Sequence, residues 1–242
     1  MTELLTLVAL LAWPSLSLEN DHGILPAELF DFSRWKLTLP VDTDRPGSPD
    51  EVTPSQLRTF VDGQFFFVDE DRKGVVFRAP CGGKPTRGSR YPRCELREMA
   101  DAQKLAAWST TAGRHALSAT LAIRKTPPVK RHVVCAQIHD DRDDVLMIRL
   151  EDRKLLIERE DEPDVVLEPN YRLGTPFELR MEAGQGRIRV WYEGKLKLDW
   201  SARRKGCYFK VGCYPQSNPT EGDPPDSVAE VVLYKLELVH EP

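Results

Sequence analysis

Little in this sequence points to a membrane, to nucleic acid or to a metal. No apolar run reaches the roughly 20 residues that a transmembrane helix needs; the longest, Leu4–Trp13, stands near the N-terminus. Positive charge is not in excess, since 34 Lys and Arg face 38 Asp and Glu for a formal net charge of -4. A nucleic-acid-binding domain normally carries a basic footprint, so no such partner is expected. A local basic groove for an acidic polymer is still compatible with this balance. Cysteine is sparse, five in 242 residues, and no pair has the CxxC spacing of common zinc sites. Helical periodicity is poor, and neither an internal repeat nor a low-complexity linker divides the chain. One domain is expected.

The N-terminal apolar run is too short for a membrane span and is followed by Ser15-Leu16-Ser17, small residues at the positions a signal peptidase reads. Residues 1–17 are therefore read as a signal peptide and residues 18–242 as the mature domain of a secreted, monomeric protein. The positive charge of the leader is confined to the terminal amine, because Glu3 stands where Lys or Arg is usual. Secretion permits disulfides. Cys81 and Cys94 flank a loop rich in Gly, Pro and Arg and are the candidates to close it. Cys207 and Cys213 are six residues apart, roughly 20 Å in one straight strand, too far to bond.

What is abundant is the signature of strands. Short runs rich in Val, Ile, Phe, Tyr and Leu recur between Gly, Pro and Asp. The clearest are Trp35–Leu39, Gln64–Val68, Val75–Ala79, Arg93–Met99, Ala116–Arg124, His132–His139, Val145–Glu151, Leu155–Glu160, Phe177–Glu182, Ile188–Tyr192, Lys195–Trp200, Tyr208–Gln216 and Ala229–Val239. Glu193-Gly194 reads as a tight hairpin turn. Pro54–Phe60 suits a turn or two of helix, and Asp42–Pro54 and Ser217–Asp226 read as surface loops. Many short strands with turns between them predict an all-β sandwich or barrel.

Three of these runs carry chemistry. Side chains alternate faces along a strand, so in Arg93-Cys94-Glu95-Leu96-Arg97 the two arginines flank a carboxylate on one face. Glu95 can orient guanidiniums whose other donors point outward, the geometry for holding a carboxylate. In Gln137-Ile138-His139, the amide and the imidazole share a face, and His139 has the range of a general base. In Tyr208–Gln216, the side chains of Tyr208, Lys210, Tyr214 and Gln216 share a face. Gly212 leaves a gap among them for a ligand, and Pro215 suggests a strand that lies near a sheet edge or bends there. Each run also has a plain structural reading: a solvated charge ladder, a packed histidine, an amphipathic strand.

Taken together and in this order, Arg-Xaa-Glu-Leu-Arg, Gln-Ile-His and Tyr-Phe-Lys-Xaa-Gly-Xaa-Tyr-Xaa-Gln resemble the alginate lyases of polysaccharide lyase family seven. Trp35-Lys36-Leu37-Thr38-Leu39-Pro40 is similar to that family's opening strand, and the resemblance spans about residues 28–240. Cys94 and the Cys213-Tyr214-Pro215 run depart from the usual pattern, where Ser or Thr and small or polar neighbours are commoner. The resemblance implies a β-jelly roll of two curved antiparallel sheets with a concave cleft for alginate, an acidic polysaccharide. It implies cleavage by β-elimination at C5 and O4, with Arg97, Gln137, His139 and Tyr214 as catalytic residues. Arg97 and Gln137, assisted by Arg93, would neutralise the uronate carboxylate. Tyr214 would be the acid and His139 a base or a partner of the carboxylate, the choice of base staying open. Arg93, Glu95, Lys210, Gln216 and Tyr208 would bind the sugars. No metal or cofactor is expected, because Arg and Gln do the neutralising; the acidic run Asp140, Asp141, Asp143, Asp144 reads as a solvated turn.

Two other readings share part of the pattern. A lyase acting on another polyuronate, such as glucuronan, would use the same chemistry. A non-catalytic carbohydrate-binding sandwich would use the same surface without needing an acid and a base.

Overall fold

The structure, a computed structural model, describes residues 23–44, 46–159 and 161–242. The expected signal peptide lies outside them. In chain order the strands are β1 (Trp35–Thr38), β2 (Glu51–Val52), β3 (Phe66–Val68), β4 (Val75–Pro80), β5 (Cys94–Glu98), β6 (Arg114–Lys125), β7 (His132–His139) and β8 (Asp144–Glu151). They continue with β9 (Lys154–Arg159), β10 (Glu162–Glu168), β11 (Phe177–Gly184), β12 (Arg187–Tyr192), β13 (Lys195–Ser201), β14 (Tyr208–Tyr214) and β15 (Val228–Glu241). Among the described residues, helix is confined to single turns at Pro26–Leu29, Pro54–Leu57 and Pro219–Glu221. No helix among the described residues is long and apolar enough to cross a membrane.

The strands form two antiparallel sheets. One has the order β10-β9-β8-β7-β14-β5-β1-β2, the other β13-β12-β11-β6-β15-β4-β3. This is the jelly-roll sandwich expected from the sequence. Each sheet turns one face inward, and alternation puts Leu37, Leu96, Ile138, Phe209 and Val211 of the first sheet against Phe66, Phe77, Leu121, Val231 and Leu233 of the second, all fully buried. Removing one such side chain costs roughly 2–5 kcal/mol.

Every anticipated strand forms within a few residues of its expected bounds. Two more appear. β2 lies in the stretch read as a loop and pairs only Val52 and Glu51 with β1. β10 contains Pro163 and three acidic residues, which mask its strand pattern in the sequence; it is tolerated as an edge strand with an irregular register to β9. At Glu193-Gly194 both φ angles are positive, 49° and 68°, as the two-residue hairpin requires.

Three sequence expectations need correction. The Cys81–Cys94 disulfide does not form, and all five cysteines are free and buried. Cys81 follows β4 in the seven-stranded sheet and Cys94 opens β5 in the other, where its thiol donates to the Phe65 carbonyl at 3.2 Å. β14 is not an edge strand: it lies between β7 and β5 and ends at Tyr214, so Pro215 falls just beyond the ladder. Gly212 does not open room for a ligand. A Cβ there would sit 2.6 Å from the Cys94 carbonyl oxygen and 2.7 Å from the Glu95 Cα, and its φ is +148°. Glycine is needed for close approach of β14 to β5.

Ladder irregularities shape the central strands. Val134 pairs with Arg149 and Ala136 with Ile148, which leaves Cys135 as an extra residue on β7. Strict alternation back from Gln137 would turn Cys135 outward. Instead Cys135 joins the core and Val134 packs outside with Tyr214 and Met147. Such bulges bend a strand and increase its twist.

Candidate functional site

The three motif strands are neighbours. β7, β14 and β5 lie side by side in the middle of the eight-stranded sheet, and their polar side chains share its outer face. Register aligns them in rows: Lys36, Arg97, Lys210 and Gln137 stand opposite one another across β1, β5, β14 and β7, and Tyr208 stands opposite His139.

Glu95 is the centre. It is 1% exposed, and its carboxylate accepts from Lys210 Nζ at 2.6 Å, from Arg93 Nη1 at 3.1 Å and from the Gln137 amide. Burial alone would raise this carboxyl, but the charges of Lys210 and Arg93 and the hydrogen bonds from Lys210 and Gln137 hold it below its ordinary range. Burial pushes the Lys210 ammonium the other way, down to about 8, against the attraction of Glu95. Glu95 is too deeply buried to touch a sugar; it positions the groups around it. The arginines divide. Arg93 is on Glu95, whereas Arg97 lies over Tyr208 with its guanidinium carbon 3.9 Å from the ring centroid.

The titratable pair flanks this centre. His139 stacks on Tyr208, with centroids 5.2 Å apart and planes at 20°. Its Nδ1 lies 2.8 Å from the Asp140 carbonyl oxygen, so in the neutral ring Nδ1 carries the proton and Nε2 keeps its lone pair. Burial lowers the His139 pKa below 6.5, opposed by that carbonyl and helped by Lys210. Tyr214 has Arg93 over its ring at 3.9 Å and Ser89 Oγ at 2.9 Å from its hydroxyl. Burial raises its pKa above 10, with Arg93 pulling the other way. The charges of Arg93 and Glu95 act on both His139 and Tyr214.

Gln216 reaches the site differently from the expected alternation. It lies past the strand end with φ of 47°, and its side chain accepts from Arg149 Nη1 at 3.4 Å. Arg149 is also paired with Glu151 and Glu158. The acidic run is only partly solvated: Asp140 is buried and closes its turn by accepting from the Arg142 and Asp143 amides at 2.9 and 3.0 Å. Among the described residues no group of three or more His, Cys, Asp or Glu could hold a metal ion.

Sequence reasoning missed several neighbours. Lys36 shares the row of Arg97 and was visible in the alternation of Trp35-Lys36-Leu37-Thr38. Ser89 and Tyr91 had no local signal. They come from the loop between β4 and β5, which meets the loop after β14 through Tyr91 Oη donating to Glu221 at 2.9 Å and Asn218 Nδ2 donating to the Arg90 carbonyl at 3.0 Å. Arg87, Ser89, Arg90, Tyr91 and Tyr214 enclose a depression of about 440 Å³. A larger one, about 640 Å³, is bounded by Ala27–Ser33, Pro54 and Arg58 and contains none of the motif residues; the chemistry places the site at the first.

Known proteins share this fold. The chain matches the alginate lyase family over residues 30–240. An alginate lyase of Klebsiella pneumoniae is 39% identical over 75 residues, a match spanning 31% of this chain and only 24% of that protein. The solved alginate lyase AlgAT5 of polysaccharide lyase family 7 superposes with a TM-score of 0.87 at 44% identity, covering 91% of this chain and 100% of that one. The alginate lyase from Corynebacterium sp. gives 0.84 at 40% identity, covering 89% and 98%. A family 7 alginate lyase in complex with its product GGG gives 0.78 at 25% identity, covering 89% and 99%. With the family matched over residues 30–240 of 242, this protein belongs to the alginate lyase family, and with it to the polysaccharide lyases.

Proposed function

We propose that this enzyme is secreted, with residues 1–17 removed, and that as a monomer it cleaves alginate by β-elimination, favouring guluronate-containing stretches. The observation that carries the proposal is the division of labour between His139 and Tyr214. The Asp140 carbonyl holds Nδ1 of His139 protonated and burial keeps the ring neutral, so Nε2 is a base at neutral pH. Burial keeps Tyr214 protonated, so it is an acid. A separate base and acid suit a sugar whose H5 and O4 lie on opposite sides, which is guluronate; in mannuronate they lie on the same side.

The steps follow. The uronate carboxylate sits against Gln137, Arg93 and Arg97, where cations and an amide donor offset the charge that builds at C5. His139 Nε2 takes the C5 proton. The electron pair forms the C4–C5 double bond as the C4–O4 bond breaks, and Tyr214 Oη gives its proton to O4. Gln137 has a second amide N–H beyond the one on Glu95. Lys210, Gln216 and Tyr208 hold neighbouring sugars, with Lys36 beside them.

Polymannuronate, polyguluronate and glucuronan incubated with the enzyme test this reading by ultraviolet absorbance of the new double bond. The fastest rise is expected with polyguluronate. A faster rise with glucuronan would assign another polyuronate, and no rise with any would favour the carbohydrate-binding module.

A further inference from the structure

Ser89 is the one side-chain partner of the Tyr214 hydroxyl among the described residues, and its own bonds are specific. Its Oγ is 2.9 Å from Tyr214 Oη, 3.0 Å from the Tyr91 amide nitrogen and 3.3 Å from the Tyr91 carbonyl oxygen. A serine hydroxyl has one proton and two lone pairs. The Tyr91 N–H occupies one lone pair. With Tyr214 protonated, its O–H occupies the other, and the Ser89 proton goes to the Tyr91 carbonyl. That last contact is long for an O–H···O bond, so the proton is loosely held.

We propose that Ser89 is a positioning residue for Tyr214: it holds the phenol in place and turns its hydroxyl onto the phenolate as Tyr214 protonates O4. This rests on the reading of Tyr214 as the acid. The Tyr214 O–H bond breaks and the O4–H bond forms; Ser89 keeps its own proton and only rotates it from the Tyr91 carbonyl to the phenolate oxygen. The phenolate is a charged acceptor, and hydrogen bonds to charged acceptors are shorter and roughly twice as strong as neutral ones. The gain therefore appears as charge develops, which is where catalysis needs it.

The surroundings hold Ser89 still without taking part in the reaction. Its backbone N–H donates to the Thr86 carbonyl at 3.0 Å. In the two residues that follow it, the Arg90 carbonyl accepts from Asn218, and the Tyr91 hydroxyl is fixed by Glu221 at 2.9 Å and by Lys130 Nζ at 3.1 Å. Lys130 and Glu221 are themselves paired at 3.3 Å. Two loops far apart in sequence thus present one hydroxyl to Tyr214.

The test compares initial rates of Ser89→Ala, Ser89→Thr and Tyr214→Phe on polyguluronate across pH. Ser89→Ala is expected to lower kcat on the order of tenfold at nearly unchanged KM. It should also move the alkaline limb of the kcat profile to higher pH, because the phenolate has lost its donor. Ser89→Thr, which keeps the hydroxyl, should restore both. Wild-type kcat and an unmoved alkaline limb in Ser89→Ala would overturn the proposal, as would a change confined to KM or to the melting temperature, or a Thr variant no better than Ala. If Tyr214→Phe retains activity, the acid assignment itself fails. If Tyr214→Phe is inactive while Ser89→Ala is normal, only the role of Ser89 falls.

Discussion

Arg93 lies over the ring of Tyr214, its guanidinium carbon 3.9 Å from the centroid, while its Nη1 rests 3.1 Å from Glu95. One buried carboxylate therefore sets the position of the cation beside Tyr214, the proposed acid. Glu95 also takes Lys210 and Gln137, so the face offered to the polymer is positive although its central residue is negative. The chain as a whole is acidic; the binding charge is local and built on a buried anion.

Tyr214→Phe and His139→Ala should each lower the rate of unsaturated-uronate formation by about 10²–10⁴, the usual contribution of a positioned acid or base. Absorbance of the product double bond measures it. Near-normal activity in either variant would remove that residue from the mechanism.

A base works in its deprotonated form, so the rate should rise with pH through the His139 pKa and then level off. Burial lowers that pKa below 6.5, so the acid limb of kcat/KM should have its midpoint on the acid side of 6.5. A midpoint well above 6.5 would mean that another group titrates.

Glu95→Gln leaves Lys210 and Arg93 buried without their anion. Both are 7% exposed, so solvent cannot compensate, and the loss should be roughly 3–5 kcal/mol, read by denaturant unfolding. Lys210, already lowered to about 8 with Glu95 beside it, should fall further. An unchanged unfolding midpoint would show that the cluster adds nothing to stability.

Gly212→Ala must fit a Cβ 2.6 Å from the Cys94 carbonyl oxygen at a φ of +148°. The backbone conformation alone should cost about 1–3 kcal/mol, and separation of β14 from β5 should weaken activity as well. Melting temperature and specific activity measured together check this; a variant equal to wild type in both would mean that the two strands can move apart freely.

Chelation should leave the initial rate within about twofold, because in the proposed mechanism Arg93, Arg97 and Gln137 offset charge that a metal would otherwise offset. A loss restored by adding back a divalent cation would place a metal in the mechanism.

Much of this was legible in one dimension. Alternation alone puts Arg93, Glu95 and Arg97 on one face and Cys94 and Leu96 on the other, because side chains on a strand repeat every two residues whatever the strand pairs with. The same rule separated Gln137 and His139 from Ile138, and Tyr208 and Lys210 from Phe209 and Val211, and the ordered motifs pointed to the family. It failed where local geometry departs from period two. Cys135 is an extra residue that no hydropathy pattern marks, Gln216 turns back at a positive φ, and β10 hides its strand behind Pro163 and acidic residues.

The order of strands in the sheet was decided only by the fold. Gln137 meets Glu95 across 42 residues and Ser89 meets Tyr214 across 125. Such pairings depend on how two sheets bury their inner faces together, which no local pattern encodes. Burial sets the character of these groups as well. Glu95 lies 1% exposed beneath its partners, and the lowering of the His139 pKa and the raising of the Tyr214 pKa, on which the proposed base and acid roles rest, come from desolvation, a property of the packed site and not of either residue.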